Sequence, residues 1–247
     1  MRKVLCCGLA TLLALPAPGR AQETPKRVSF TGDIGFVNTA GNTHLTTLSL
    51  GDKLTVRAGK TLFTQTFALV YGKSEGVQNA NSQVARLRAD YPLTGRLGTY
   101  AFAGYERNRF AGISRRTDQG AGLAFAALRH ERHELDLEIG AGLVQERRFP
   151  DPALDATVSD NFLSGRAAVR YKLLFSKATY FLQTLEYLPN FERSSDYRVN
   201  SESALVAPIS THFGLKASYL IKYNNEPPSA TLAKTDRMLT TGLQVTY

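Results

Sequence analysis

Residues 240–247 read Thr240-Thr241-Gly242-Leu243-Gln244-Val245-Thr246-Tyr247. In an extended chain successive side chains point to opposite sides. Leu239, Leu243, Val245 and Tyr247 therefore share one face with Thr241, while Thr240, Gly242, Gln244 and Thr246 share the other. This is the period-two signature of a strand with one apolar and one polar side. Terminal segments of ordinary soluble domains fray more often than they pair. An alternating strand that stops on an aromatic residue is instead common in outer-membrane β-barrels. Tyr247 is accordingly read as an assembly signal, to be met by the barrel-assembly machinery.

The start of the chain fits that destination. Met1-Arg2-Lys3 is positive, Val4 to Leu15 is an apolar run, and Pro16 to Ala21 breaks it with small residues at Gly19 and Ala21. A transmembrane helix needs roughly 17–25 apolar residues, so this run is too short to be an anchor. Residues 1–21 are predicted to be a cleaved secretory signal peptide, leaving residues 22–247 as one domain. Cys6 and Cys7, the chain's two cysteines, lie at the beginning of the apolar run, unlike a lipidated cysteine, and would leave with it. The exported chain would then have no disulfides, no thiol chemistry and no Cys-ligated metal. Losing Arg2, Lys3 and Arg20 lowers the formal net charge from +9 to +6. The basic residues are scattered along polar faces, and export speaks against a nucleic-acid partner.

From residue 28 onward the pattern is strand after strand. Period-two segments fall at 28–38, 43–57, 61–74, 80–92, 96–110, 115–128, 133–148, 159–175, 178–190, 196–207, 210–224 and 234–247. Most exceed the five or six residues usual in soluble sheets and meet the 9–11 needed by a tilted membrane strand. Joints after the second, fourth, sixth, eighth and tenth segments are tight, as in Ala58-Gly59-Lys60 and Leu93-Thr94-Gly95. Those after the third, seventh, ninth and eleventh are expected to be longer and polar. Alternating short turns and longer loops predict an all-β fold: a single twelve-stranded antiparallel transmembrane β-barrel of the bacterial outer membrane. Both termini would lie on the periplasmic side, with the first strand closing against the last.

Alternation assigns the faces. Leu87, Ala89 and Tyr91 oppose Arg86, Arg88 and Asp90; Leu137 and Ile139 oppose Glu134, Asp136 and Glu138; Ala167, Val169 and Tyr171 oppose Arg166, Arg170 and Lys172. Asp33 in the first strand and Lys216 and Lys222 in the eleventh join the polar side. These eleven polar-side charges from Asp33 to Lys222, Glu134 aside, are expected to line the lumen. Hairpin pairing of the seventh and eighth strands would set acids opposite bases. A salt-bridged lumen that stiffens the barrel is favoured over a narrow passage whose charges select solutes. Two positions resist assignment. Asp52 falls among Leu48, Leu50 and Leu54 on the apolar face, implying a bulge, a different register or an interfacial site. In the ninth strand, Phe181, Leu185 and Tyr187 compete with Tyr180 and Leu182 for the outward face.

Three stretches carry a family resemblance. They are Gly35 to Thr43; Tyr105-Glu106-Arg107-Asn108-Arg109-Phe110 with Arg115-Arg116 and Gly120-Ala121-Gly122-Leu123; and Leu215 to Tyr219 with Tyr223-Asn224-Asn225-Glu226-Pro227-Pro228 and Lys234-Thr235-Asp236. The chain resembles the salt-stress-induced outer-membrane protein family, also described as domain of unknown function 481. Phe30 stands where such proteins often have Trp. The resemblance implies an outer-membrane barrel related to envelope or salt stress, and it transfers no reaction to any residue.

The residues point the same way. Nucleophilic catalysis needs a hydroxyl, a base and an orienting group together. His130, His133 and His212 fall in or near tight turns, leaving only His44 near the outer rim for a surface hydrolase, the weakest alternative. No catalytic or metal site and no cofactor is expected. A passive channel for small solutes is the main alternative to a structural barrel. Arg107, Arg109, Arg115 and Arg116 flank the turn at Phe110 to Ile113. They could bind lipopolysaccharide phosphates through charge-assisted hydrogen bonds, or be a solvated rim. Outer-membrane lipid and lipopolysaccharide are thus the expected surroundings; the sequence leaves oligomeric state open.

Overall fold

A computed structural model describes residues 27–39, 45–149, 158–176, 178–229 and 232–247. Residues 1–21, expected to be a signal peptide, and His44 lie outside them. Twelve strands follow in order: β1 (Val28–Thr39), β2 (Leu45–Ala58), β3 (Thr61–Ser74), β4 (Val77–Pro92), β5 (Leu97–Asn108), β6 (Ile113–Arg129), β7 (His133–Arg148), β8 (Ser159–Leu174), β9 (Tyr180–Pro189), β10 (Tyr197–Pro208), β11 (Phe213–Asn224) and β12 (Thr235–Thr246). Each pairs antiparallel with its chain neighbour, and β1 pairs with β12 to close the barrel. The closing register sets Asp33 opposite Gln244 and Ile34 opposite Leu243. Reciprocal backbone bonds between Phe30 and Tyr247 (3.0 and 2.9 Å) extend the seam to the last residue. Closure leaves no edge strand with unpaired amide groups, the condition for a sheet in lipid.

One connection departs from the sequence expectation. The joint after β3 is the two-residue turn Glu75-Gly76, not a longer loop, and β4 begins at Val77. Both turn residues have positive φ (50° and 78°). That pair of left-handed conformations matches the twist of a hairpin, which explains Gly at the second position. The connections after even-numbered strands and both described chain ends occupy one end of the barrel, here the terminus end. The connections after odd-numbered strands occupy the other, the loop end.

The outward face carries Leu87, Ile139 and Leu239, which are 61%, 66% and 71% exposed. A large apolar surface exposed all round the wall is what a lipid-facing barrel presents. Near the loop end Tyr187, Tyr197 and Tyr223 form an outer aromatic row with ring centroids 5.8 and 5.9 Å apart. Strand nine is resolved: Leu185 and Tyr187 face outward and are exposed, while Leu182 stands beside inward Lys172 in the ladder.

Asp52 does face outward. Registers with β1 and β3 run through it without a bulge, setting it opposite Gly32 and Phe67. Its carboxylate accepts a hydrogen bond from Gln65 Nε2 at 2.8 Å. The outward polar side chain of the next strand thus solvates the acid locally.

Candidate functional site: the charged lumen

Inside, the lumen is crossed by ion pairs. The central cluster is built on six consecutive strands, β4 to β9. Glu138 accepts hydrogen bonds from Arg88 (Nη1 3.0 Å, Nη2 2.8 Å) and from Arg166 Nη1 (2.6 Å). Arg88 also binds Asp90 at 2.6 Å, and Arg166 Nε binds Glu186 at 2.6 Å. Arg86 pairs with Asp118 at 2.9 Å and reaches Glu186 at 3.6 Å. The last contact joins β4 to β9, strands far apart around the circle.

Tyr100 organises this cluster. It is 1% exposed, its ring lies 4.1 Å below the Arg88 guanidinium, and its hydroxyl accepts a hydrogen bond from Arg166 at 2.9 Å. Room for the ring comes from two glycines directly opposite each other, Gly122 on β6 and Gly140 on β7. A Cβ at either position would lie 2.6 Å from the Tyr100 hydroxyl oxygen. An aromatic laid over paired strand glycines restores the packing that glycine lacks. Cation–π contact adds about 0.5–2 kcal/mol where the cation is partly desolvated.

A second cluster lies toward the loop end. Arg116 is 6% exposed and binds Glu146 (Nε 2.8 Å, Nη2 2.5 Å) and Glu106 (Nη1 3.1 Å). Glu106 in turn accepts from Lys222 Nζ at 2.9 Å. Glu106 is on β5 and Lys222 on β11, diametrically opposed strands of the circle. An ion pair at hydrogen-bond distance therefore spans the barrel there. Above it the connection after β11 folds toward the turn after β5: a Cβ on Gly112 would meet Leu232 at 2.9 Å and Pro228 at 3.0 Å.

The lumen residues expected from sequence are thus distributed unevenly. Arg86, Arg88, Asp90, Glu138 and Arg166 meet in the central cluster, and Lys222 joins the second. Asp33 binds Lys216 at 2.8 Å and Gln244 at 3.0 Å near the closing seam. Asp136 stands opposite Arg170 in the ladder, and Glu134 opposite Lys172. Neither makes the expected cross-strand ion pair: the Asp136 carboxylate is taken by Arg129 at the turn, and among the described residues Arg170 and Lys172 have no ion pair.

Arg116 corrects the sequence reading. It was grouped with Arg107, Arg109 and Arg115 at the outer rim, whereas its neighbours point out and it points in. The cause is parity: Arg115 and Arg116 are adjacent in a strand, so only one can face outward. Burial in an ion cluster removes Arg116 from any lipopolysaccharide contact. Arg107, Arg109 and Arg115 are exposed.

Sequence reasoning missed Glu106, Glu146, Asp118 and Glu186, although all but Glu186 share the parity of inward residues in well-defined strands. Parity could have found them. Glu106 and Glu146 stand directly opposite Arg116 in the neighbouring ladders; the contacts of Asp118 and Glu186 with Arg86 and of Glu106 with Lys222 skip strands and leave no local pattern.

Among the described residues no group of three or more His, Cys, Asp or Glu is arranged to hold a metal. His133 and Tyr171 share a hydrogen bond at 2.7 Å at the terminus-end rim.

The closed antiparallel wall, the outward apolar face and the charged interior define an outer-membrane-type β-barrel. Solved structures agree on the fold. The outer membrane channel COG4313 from Pseudomonas putida F1 superposes with a TM-score of 0.55 at 11% identity, covering 94% of this chain and 100% of that one. The translocator domain of autotransporter NalP from Neisseria meningitidis gives 0.50 at 12% identity, covering 88% and 86%. The chain belongs to the family described as "Protein of unknown function, DUF481", matched over residues 32–247. It is 26% identical over 209 residues to "Uncharacterized protein YdiY" of Escherichia coli (strain K12), spanning 85% of this chain and 79% of that protein.

Proposed function

We propose that this protein sits in a Gram-negative outer membrane as a structural, envelope-stress-related barrel with a restricted lumen. Its terminus end would face the periplasm, following the placement of short turns in such barrels. One observation carries the reading: the Glu106–Lys222 pair at 2.9 Å joins opposite walls. General diffusion needs a continuous water column, and a barrel tied across its diameter is narrowed at that level. The central cluster acts in the same direction and stiffens the wall, as cross-linking charges in a lumen should.

A passive channel for small solutes is the second reading. It is favoured by a cavity of about 580 Å3 left beside the network. Exposed Arg107, Arg109 and Arg115 would meet lipopolysaccharide phosphates at the outer rim. Among the described residues, which do not include His44, no constellation supports hydrolysis.

Planar-bilayer recording separates the first two readings. A structural barrel gives no sustained steps, and replacing Glu106 and Lys222 together with Ser should produce them or enlarge them. Large, stable steps from the unaltered protein would sink the restricted-lumen reading.

A further inference from the structure

The ion network fills only part of the lumen. The part walled by β1–β3 and β8–β12 holds the cavity of about 580 Å3. Its lining has two unlike sides. On one, Lys53 of β2 points inward within electrostatic reach of Arg170 and Lys172 of β8, the opposite strand of the circle. Lys53 and Arg170 are exposed although inward-facing, and among the described residues none of these three cations makes an ion pair. The acids that could neutralise them are engaged elsewhere: Asp136 with Arg129, Asp90 with Arg88, Asp33 with Lys216. Glu134, opposite Lys172, is beyond ion-pair distance, and Glu202 is the remaining inward carboxylate on the cavity wall, Asp52 facing outward. Cations at the cavity thus outnumber carboxylates, four (with Lys216) to three (Asp33, Glu202 and Asp52), and the outward Asp52 side chain binds Gln65.

The other side breaks the barrel's own pattern. Leu182, Val206, Leu220 and Met238 occupy inward positions on β9 to β12, where polar residues are the rule. Leu220 and Met238 stand opposite each other, and Leu182 stands beside Lys172 in the ladder. Apolar side chains facing a water-filled lumen gain nothing from it. Beside cations without counter-charges they make a pocket with one charged and one apolar wall, the arrangement of sites that take an amphipathic ligand.

We propose that this cavity binds a small amphipathic carboxylate, its acid group held by Lys53, Arg170 and Lys172 and its apolar body laid against Leu182, Leu220 and Met238. The inference rests on the restricted-lumen reading for its role, because a narrowed lumen makes this cavity a pocket and not a stretch of open channel. Guanidinium and ammonium groups converging from opposite strands suit a single carboxylate, and charge-assisted hydrogen bonds are the strongest the site can offer. Tyr180, whose ring lies 5.2 Å from Lys172 Nζ, borders both walls.

The test uses the whole protein in lipid nanodiscs and calorimetric titration with octanoate, corrected against empty discs. Acetate supplies the charge without the body, and octyltrimethylammonium supplies the body with the opposite charge. Saturable octanoate binding is expected, with acetate and the cation at least about tenfold weaker. The K53M/R170M double variant should lose about a hundredfold of octanoate affinity, each charge-assisted bond contributing roughly tenfold. L220N should weaken octanoate and leave acetate unchanged. Heat-modifiable gel migration checks that each variant is folded; K53M alone serves if the double variant is not. Absence of saturable octanoate binding overturns the proposal. So does binding of octyltrimethylammonium as tight as octanoate's, or of acetate as tight as octanoate's. Conductance steps without loss of octanoate binding would refute the restricted lumen and leave the site standing.

Discussion

Neutralising Glu138 while keeping its shape, Glu138→Gln, probes the lumen network at its centre. The carboxylate accepts three hydrogen bonds of 2.6–3.0 Å from Arg88 and Arg166, and its side chain is 14% exposed. Breaking a buried ion pair by removing one partner costs about 3–5 kcal/mol, because the other charge is left uncompensated. Here the loss is smaller. Arg88 keeps Asp90, Arg166 keeps Glu186, and the amide oxygen still accepts one bond. A destabilisation of about 2–3 kcal/mol follows. Urea unfolding of vesicle-reconstituted protein, read by heat-modifiable migration, measures it. Glu134→Gln, on the same strand face but without an ion pair, should stay within about 0.5 kcal/mol of the parent. Adding Arg88→Met to Glu138→Gln should recover part of the loss, a non-additivity expected of residues in one network. Equal effects of the Glu134 and Glu138 substitutions, or strict additivity, would refute the idea that these charges hold the lumen as a unit.

Other outcomes follow from single contacts. Gly122→Ala puts a methyl 2.2 Å from the Ile139 carbonyl oxygen and 2.6 Å from the Tyr100 hydroxyl, and should cost about 1–3 kcal/mol in the same assay. Arg116→Ala leaves Glu106 with Lys222 and Glu146 with Arg148 and should destabilise by about 2–3 kcal/mol, yet leave lipopolysaccharide affinity in a pull-down unchanged; replacing Arg107, Arg109 and Arg115 with Gln should do the reverse. Asp52→Leu removes a carboxylate from the lipid-facing wall and should be neutral or stabilising by up to about 2 kcal/mol. A marked loss of stability there would mean that Asp52 faces a polar neighbour and not lipid.

Much of the architecture was legible in the chain because a barrel strand is a local object. Alternation at Arg86 to Tyr91 or Leu135 to Ile139 sets the face of each residue without reference to anything distant. Turn length at Gly59 or Gly95 sets which strands are neighbours. The joint at Glu75-Gly76 was misread because polar strand residues after it resemble loop residues in composition. Parity would have placed Arg116 inward, but its position beside a rim cluster outweighed that signal.

The sequence by itself determined the number of strands, their order, the outward and inward faces and the closing of β1 on β12. Each follows from period two and from connection length, which are properties of adjacent residues. Only the tertiary structure decided how the inward charges divide among partners. Glu106 meets Lys222, and Arg86 meets Glu186, because closure brings strands distant in the chain face to face across a lumen a few side chains wide. Likewise Asp136 was free to choose between Arg170, its ladder partner, and Arg129 at the turn, and it took the latter. That choice, invisible to any strand pattern, leaves Lys53, Arg170 and Lys172 together without a counter-charge, because ion pairing depends on three-dimensional reach and not on register.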